Sequence, residues 1–137
     1  MKENFSHPLR FIKLWLGIGW SLVIAVIVLS LMSSPPMIPS IDYGDKISHV
    51  VAYFVLMGWF AQIYHAPRLR LYYMIGFILL GILLEILQGL GGIRHMDWVD
   101  MLANSIGVLI AWQLTKNRLA YVLAYFEQKC CGYSTAD

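Results

Sequence analysis

The apolar residues of this chain form long blocks with almost no charge, and the lengths of these blocks constrain the fold more than any other feature. A helix needs about 17–25 mostly apolar residues to cross the hydrocarbon core of a bilayer. Four runs satisfy this requirement, at about Leu14 to Met32, Ile47 to Tyr64, Leu69 to Leu90 and Trp98 to Leu114. The sequence therefore predicts an all-α integral membrane protein, a polytopic four-helix bundle.

The linkers between the runs carry helix-breaking residues. Prolines follow the first run, Ala66-Pro67 separates the second from the third, and glycines precede the fourth. A cleaved signal peptide is the alternative for the first run, but that run exceeds the usual apolar core of about 7–15 residues. We therefore predict a retained span within a single membrane domain, residues 1–137. Residues 115–137 form a tail, in which Leu119 to Phe126 is a candidate short helix at the membrane interface.

Composition excludes several classes of protein. Apolar residues make up 59% of the chain and charged residues 13%, whereas about a quarter of the residues in soluble domains are charged. Basic residues do not cluster or alternate with aromatic residues, so we expect no nucleic-acid partner. The two cysteines are adjacent in sequence, which argues against a fold built on disulfides.

The basic residues predict the orientation of the chain, because cytoplasmic loops accumulate Lys and Arg. Eight of the ten fall before the first run, between the second and third, or after the fourth: Lys2, Arg10, Lys13, Arg68, Arg70, Lys116, Arg118 and Lys129. The other two are Lys46 and Arg94. Both termini are therefore predicted to be cytoplasmic.

Polar residues gather where the second, third and fourth runs approach the opposite, outer side. At 1.5 Å per residue, Glu85 lies roughly 7–8 Å from the outer end of the third run. Asn104 lies roughly 9 Å from the outer end of the fourth run, and His49 lies about 3 Å from the start of the second. Steps of three and four residues place these groups on single helix faces. Because a charge facing lipid is costly, we predict one outward-opening, ligand-binding pocket lined by Asp45, Lys46, His49, Glu85, Gln88, Arg94, Asp97, Asp100 and Asn104.

These residues resemble the motifs of the VanZ-like family. The series is Asp45-Lys46-x-x-His49, then Glu85-x-x-Gln88, then Arg94-x-x-Asp97-x-x-Asp100-x-x-x-Asn104-x-x-Gly107. The similarity covers about Asp45 to Ala111, and it departs from many members at Gly91-Gly92-Ile93, where they carry Pro-Gly. It implies a multi-pass protein of the bacterial cytoplasmic membrane, related to a component of glycopeptide-resistance clusters that is linked with reduced sensitivity to teicoplanin.

Three functions are consistent with such a pocket. The first is binding of a lipid head group, a lipid-linked envelope precursor or an amphiphilic antibiotic, since Lys46 and Arg94 suit a phosphate or carboxylate. The second is a hydrolase or transferase that acts on a phosphorylated or lipid-linked substrate. Its catalytic candidates are Glu85, His49, Asp97 and Asp100, through acid–base or metal-assisted chemistry. The third is a small transporter or channel subunit, which would need an oligomer or another membrane-protein partner.

The same side chains also have purely structural interpretations. Glu85 could fix helix packing, Asp97 and Asp100 could cap the fourth helix, and the basic residues could neutralise the acids. No cofactor is assigned, although His49, Glu85, Asp97 and Asp100 form a His–carboxylate set that can bind a divalent cation.

Overall fold

The structure, a computed structural model, describes residues 9–33, 44–92 and 95–130, and every regular element in these ranges is a helix. The elements are α1 (Ile12–Ser30), α2 (Gly44–Ile63), α3 (Pro67–Leu90), α4 (Trp98–Leu114), a 3-10 turn (Arg118–Tyr121) and α5 (Val122–Cys130).

The ends of the helices follow from local sequence. Pro67 is the first residue of α3, where its missing N–H is not needed and its ring presets φ. After α3 the chain turns through Gly92, whose φ of 63° lies in the left-handed region that favours glycine. The Asp97 carboxylate caps α4 by accepting a hydrogen bond from the Val99 N–H at 2.9 Å.

Helix α2 includes three residues that precede its apolar run. The run starts at Ile47, but Gly44, Asp45 and Lys46 are already helical. His49 lies five residues, roughly 7–8 Å at 1.5 Å per residue, from the first described residue of the helix. The two charged residues of the first turn extend α2 because both find partners on neighbouring side chains.

Three helices, α1, α2 and α3, are long and apolar enough to cross a membrane. Helix α4 is also apolar but has 17 residues. Large apolar side chains lie exposed along all four helices, including Ile24, Val51, Leu79 and Ile106. Such surfaces are typical of a protein whose outer faces contact lipid, and the chain has the features of a multi-pass membrane protein.

Helix α2 contacts each of the other three long helices, and it packs most extensively against α4. The closest approach is at Gly107, where an added Cβ would lie 2.3 Å from the Val50 carbonyl oxygen. Ala103 and Ala111, one turn to either side, are buried in the same interface. Small residues at this spacing let two helix backbones come together, so Gly107 fixes the α2–α4 pair that carries most of the polar residues.

Consecutive long helices run in alternating directions, so the helix ends meet at the two opposite ends of the bundle. One end joins the start of α2, the end of α3 and the start of α4 through Lys46, Glu85 and Asp97. We call this the polar end. At the opposite end, the Trp59 indole of α2 donates to the Trp15 carbonyl of α1 at 2.9 Å. Between the ends the core is apolar, with Met57 and Val108 fully buried.

The opposite end is closed by the C-terminal segment. The Glu127 carboxylate accepts hydrogen bonds from the Arg10 N–H at 2.7 Å, the Phe11 N–H at 3.0 Å and the Trp15 indole at 2.5 Å. It thereby satisfies amides at the start of α1, where a negative charge is favoured. Burial raises the pKa of Glu127, but the three hydrogen bonds lower the pKa more, so its net direction is downward from 4.5. Gln62 of α2 bonds the backbone of Leu119 and Leu123.

Candidate functional site

The centre of the polar end is Lys46, which links two aspartates of α4. Its Nζ lies 2.5 Å from Asp97 Oδ2 and also donates to Asp100 Oδ1. The Lys46 side chain is 27% exposed and that of Asp97 38%, whereas that of Asp100 is only 4% exposed. One lysine therefore neutralises part of the charge of a rim aspartate and of a buried aspartate at the same time.

Asp97 connects the cluster to the backbone of α4. One carboxylate oxygen caps the helix through the Val99 N–H, and the other accepts from Lys46. The Lys46 ammonium, together with the Val99 amide, lowers the pKa of Asp97 from its usual value. Its backbone N–H donates to Glu85 Oε1 at 2.8 Å, so the buried carboxylate of α3 helps to hold the start of α4. Capping and ion pairing thus coexist at Asp97.

His49 lies between an amide on one side and two carboxylates on the other. Its Nδ1 is 2.9 Å from Asn104 Oδ1, while its Nε2 is 3.8 Å from Asp45 Oδ1 and 3.6 Å from Asp100 Oδ2. Because a carbonyl oxygen only accepts hydrogen bonds, Nδ1 must carry the proton in that contact. In the neutral ring Nε2 then has a lone pair directed toward the two aspartates.

The side chain of Asn104 packs against Gly81 of α3, which has no side chain of its own. A Cβ added to Gly81 would lie 3.0 Å from Asn104 Cβ and 3.1 Å from its Nδ2. The glycine therefore leaves room for the amide that orients His49. Gly81 thus makes space for Asn104, and Glu85, four residues further along α3, supplies a charge.

Gln88 contributes a packing contact with α1. Its amide nitrogen donates to the Ser30 carbonyl oxygen at the end of that helix. Gln88 is buried, so the structure uses it to join α3 to α1 beside the cluster. The sequence predicted a ligand-binding residue here and gave no sign of Ser30 as a partner.

Tyr53 lies beneath the cluster and was not among the predicted pocket residues. Its side chain is 1% exposed, and its hydroxyl has no hydrogen-bond partner among the described residues. The ring packs beside Gly81, and the hydroxyl is close enough to Glu85 to interact electrostatically with it. Its four-residue spacing from His49 on α2 was the signal that could have identified it.

The structure brings eight of the nine predicted pocket residues to the polar end. Arg94 lies outside the described residues. We call the eight the polar cluster: Asp45, Lys46, His49, Glu85, Gln88, Asp97, Asp100 and Asn104. It has a partly exposed rim formed by Asp45, Lys46 and Asp97, and a buried base that includes Glu85 and Asp100.

The side chains whose potential ligand atoms converge are not the same four that the sequence suggested as metal ligands. Among the described residues, the ligand atoms that converge belong to Asp45, His49 and Asp100, all within 4.8 Å of one another. Of the predicted ligands, Glu85 instead binds a backbone amide and Asp97 binds Lys46 and its own helix. Asp45, which was predicted only as a pocket residue, replaces them.

Comparison with known proteins gives no further assignment, because no family model, curated protein or solved structure matches the chain.

Proposed function

We propose that this chain is a four-span membrane bundle whose polar cluster binds a phosphate- or carboxylate-bearing head group at the outer face of a bacterial cytoplasmic membrane. The candidates are a membrane lipid, a lipid-linked envelope precursor and an amphiphilic antibiotic of the glycopeptide type. The observation that supports this most directly is a set of ionisable side chains, several of them buried, contributed by the ends of three apolar helices.

The packing of α4 supports its assignment as the fourth span. It follows α2 closely from the Lys46 ion pairs, past Gly107, to Thr115, whose carbonyl accepts a hydrogen bond from Arg70 of α3. Its 17 residues extend roughly 25 Å at 1.5 Å per residue, near the lower limit for a span. The distribution of Lys and Arg supports an outer position for the polar end, and the motif series supports membership of the VanZ-like family.

Energetics favours a functional role for the polar cluster. Ionisable groups within spans are costly and commonly mark binding or transport sites. A salt bridge in a buried setting contributes little net stability compared with apolar packing. The buried Glu85 and Asp100 are therefore poorly explained by stability alone, and the partly exposed rim above them gives a head group access.

Binding to nanodiscs of phosphatidylcholine doped with phosphatidylglycerol or a polyprenyl phosphate tests this proposal. We expect Lys46→Gln to weaken binding of the polyprenyl phosphate at least tenfold, because it removes the lysine of the polar cluster. Lys13→Gln is the matched control, because Lys13 is an exposed lysine near the start of α1, at the opposite end. Equal binding by both variants and the wild type, or no binding of either anionic lipid by the wild type, would overturn the proposal.

A second candidate function is supported by His49. A neutral imidazole whose Nε2 lone pair faces two carboxylates can accept a proton, and a positioned general base contributes about 10²–10⁴-fold to rate. The corresponding activity is hydrolysis or transfer at a lipid phosphate. Phosphate release from a polyprenyl diphosphate, lost in His49→Gln and retained in His65→Gln, would establish it. No release by the wild type, with or without divalent metal, would exclude it for this substrate.

A transport function receives less support from the packing. Directly below the polar cluster the α2–α4 interface is filled by Met57, Val108 and Ala111, all fully buried. A path through one copy of the described helices is therefore blocked by apolar side chains. Flux in liposomes would require a seam between copies.

A further inference from the structure

Three potential metal ligands converge at the polar end, and two of them are already oriented by neighbouring side chains. We propose that Asp45, His49 and Asp100 bind one divalent first-row metal ion, of the kind represented by Zn²⁺ and Mn²⁺. One imidazole nitrogen and two carboxylate oxygens suit such ions. The role of the ion rests on the proposed head-group function, whereas the binding of the ion is argued from the geometry of the three side chains.

The orientation of His49 is the first argument. Asn104 accepts the Nδ1 proton at 2.9 Å, so the Nε2 lone pair is free to coordinate. Histidines that bind metals almost always donate their other ring N–H in this way, because the contact fixes both the tautomer and the ring plane. In the neutral ring and without a cation, this lone pair would face carboxylate oxygens at 3.6 and 3.8 Å that also carry lone pairs.

Asp100 is oriented in a comparable way. Its Oδ1 accepts from Lys46, which leaves Oδ2 directed toward His49. Ligating carboxylates in metal sites are commonly held by such a hydrogen bond. Lys46 therefore positions this ligand without occupying the oxygen that would coordinate the ion.

The distances fit an ion after small movements. Zinc–ligand bonds of about 2.0–2.2 Å place tetrahedral ligand atoms roughly 3.3–3.6 Å apart. The contacts from His49 Nε2, 3.6 Å to Asp100 and 3.8 Å to Asp45, are close to that range. Asp45 is partly exposed at the first turn of α2, so its side chain can adjust.

The charge of the polar cluster is a further argument. The carboxylates of Asp97 and Asp100 share the single positive charge of Lys46, which can neutralise only one of their two negative charges. Anionic groups withdrawn from water need compensating charge. A divalent ion would supply it, and three protein ligands would leave a coordination position for a phosphate oxygen. The ion thus explains how a cluster rich in acids could bind an anionic head group.

The buried Tyr53 hydroxyl is a separate observation at the base of the polar cluster. A buried hydroxyl without a hydrogen-bond partner is unfavourable. Tyr53 is 1% exposed, unpartnered among the described residues and close to Glu85 at the base of the cluster. Its O–H is available to donate to a group that binds beside the ion.

The test measures metal binding directly. The detergent-purified protein, stripped with a chelator, is titrated with Zn²⁺ and Mn²⁺ and assayed for metal content per chain. Co²⁺ serves as a spectroscopic probe, because its visible absorption reports ligand number. We expect one ion per chain, and affinity at least roughly 100-fold lower in His49→Gln and Asp45→Asn. Asn104→Leu, which removes the acceptor that orients His49, should lower affinity about 10–100-fold.

His65→Gln is the matched control, because His65 lies beyond the other end of α2 and bonds the Ala120 carbonyl. It should retain wild-type metal affinity. Asp45→Asn alters a rim residue, so its helical content and monodispersity should remain normal and keep the test valid if His49→Gln misfolds. Absence of stoichiometric metal in the wild type, or equal affinity in His49→Gln and His65→Gln, would overturn the inference.

Lipid binding with and without a chelator separates this inference from the proposed function. Lipid binding that persists without metal supports the head-group proposal and overturns a role for the ion in it. Stoichiometric metal binding by a protein that binds no anionic lipid supports the metal site and overturns the head-group proposal.

Discussion

Replacing Lys46 by Met removes the cation that links α2 to α4 while preserving most of the side-chain volume. In the wild type, Lys46 Nζ bonds Asp97 and Asp100 together. The substitution leaves the Asp100 carboxylate, which is 4% exposed, without its lysine partner. We expect Lys46→Met to lower the free energy of unfolding, and the size of this loss depends on how deeply Lys46 and each aspartate are buried.

Removing one partner of a buried ion pair typically costs about 3–5 kcal/mol, because an uncompensated charge remains. The Lys46 side chain is 27% exposed, so water near its position compensates part of the Asp100 charge that the substitution leaves unpaired. We therefore expect a loss near the lower end of the range, about 3 kcal/mol. The contact with Asp97 adds little, since that aspartate is on the exposed rim and is screened.

Equilibrium unfolding in mixed SDS–detergent micelles measures this loss. A double-mutant cycle with Asp100→Asn isolates the pair, because the second change removes the charge that the first leaves uncompensated. Lys46→Met combined with Asp100→Asn should be less destabilised than the sum of the single variants by about 1–3 kcal/mol. Lys13→Met, an exposed lysine on α1, is the control and should change stability by less than about 0.5 kcal/mol.

The reasoning would be refuted by a Lys46→Met protein as stable as Lys13→Met, or by additive single and double variants. Either result would mean that water or another side chain neutralises Asp100. A variant more stable than the wild type would show that α2 and α4 pack better without the charge, as replacement of buried ion pairs sometimes does.

The other predictions concern the opposite end, the helix interface and the buried hydroxyl. The pKa of Glu127 in the folded protein is lowered from 4.5, so the stabilisation that its carboxylate provides is complete above pH 4.5 and is lost as the pH falls through the folded-state pKa. Trp15 fluorescence should report this loss of stability at low pH, and Glu127→Gln should abolish the pH dependence. Gly107→Ala should cost about 1–3 kcal/mol through overpacking, whereas Gly58→Ala, which meets nothing within 4 Å, should be neutral or stabilising in the same SDS titration. Tyr53→Phe should not lower stability, because its hydroxyl has no partner among the described residues, but it should weaken binding of polyprenyl phosphate.

Sequence reasoning captured the parts of the molecule that depend on local pattern. The run from Leu69 to Leu90 predicted α3 closely because an apolar stretch bounded by Pro67 and glycines leaves few alternatives. The three- and four-residue steps from Asp97 to Asn104 placed those side chains toward α2 because helical periodicity is fixed. These features needed only one helix at a time.

Features that depend on pairs of distant segments were not predictable. The carboxylate of Glu127 binds amides 116 and 117 positions away in sequence, and no spacing rule relates them. The apolar run also did not predict that Asp45 and Lys46 are helical. Their side chains contact His49 and Asp100, residues that the run alone does not relate to them.

The two ends of the molecule use polar side chains differently, and this difference supports the assignment of the site. At the opposite end, Gln62, His65, Arg70 and Glu127 bond backbone groups at helix ends and loops, which satisfies groups that a folded chain must pair in any case. At the polar end, side chains mainly face other side chains, and His49 Nε2 faces the carboxylate oxygens of Asp45 and Asp100. A cation between these groups, as proposed above, would make the arrangement more favourable. This contrast supports our proposal that ligand binding, rather than folding alone, accounts for the choice of residues at the polar end.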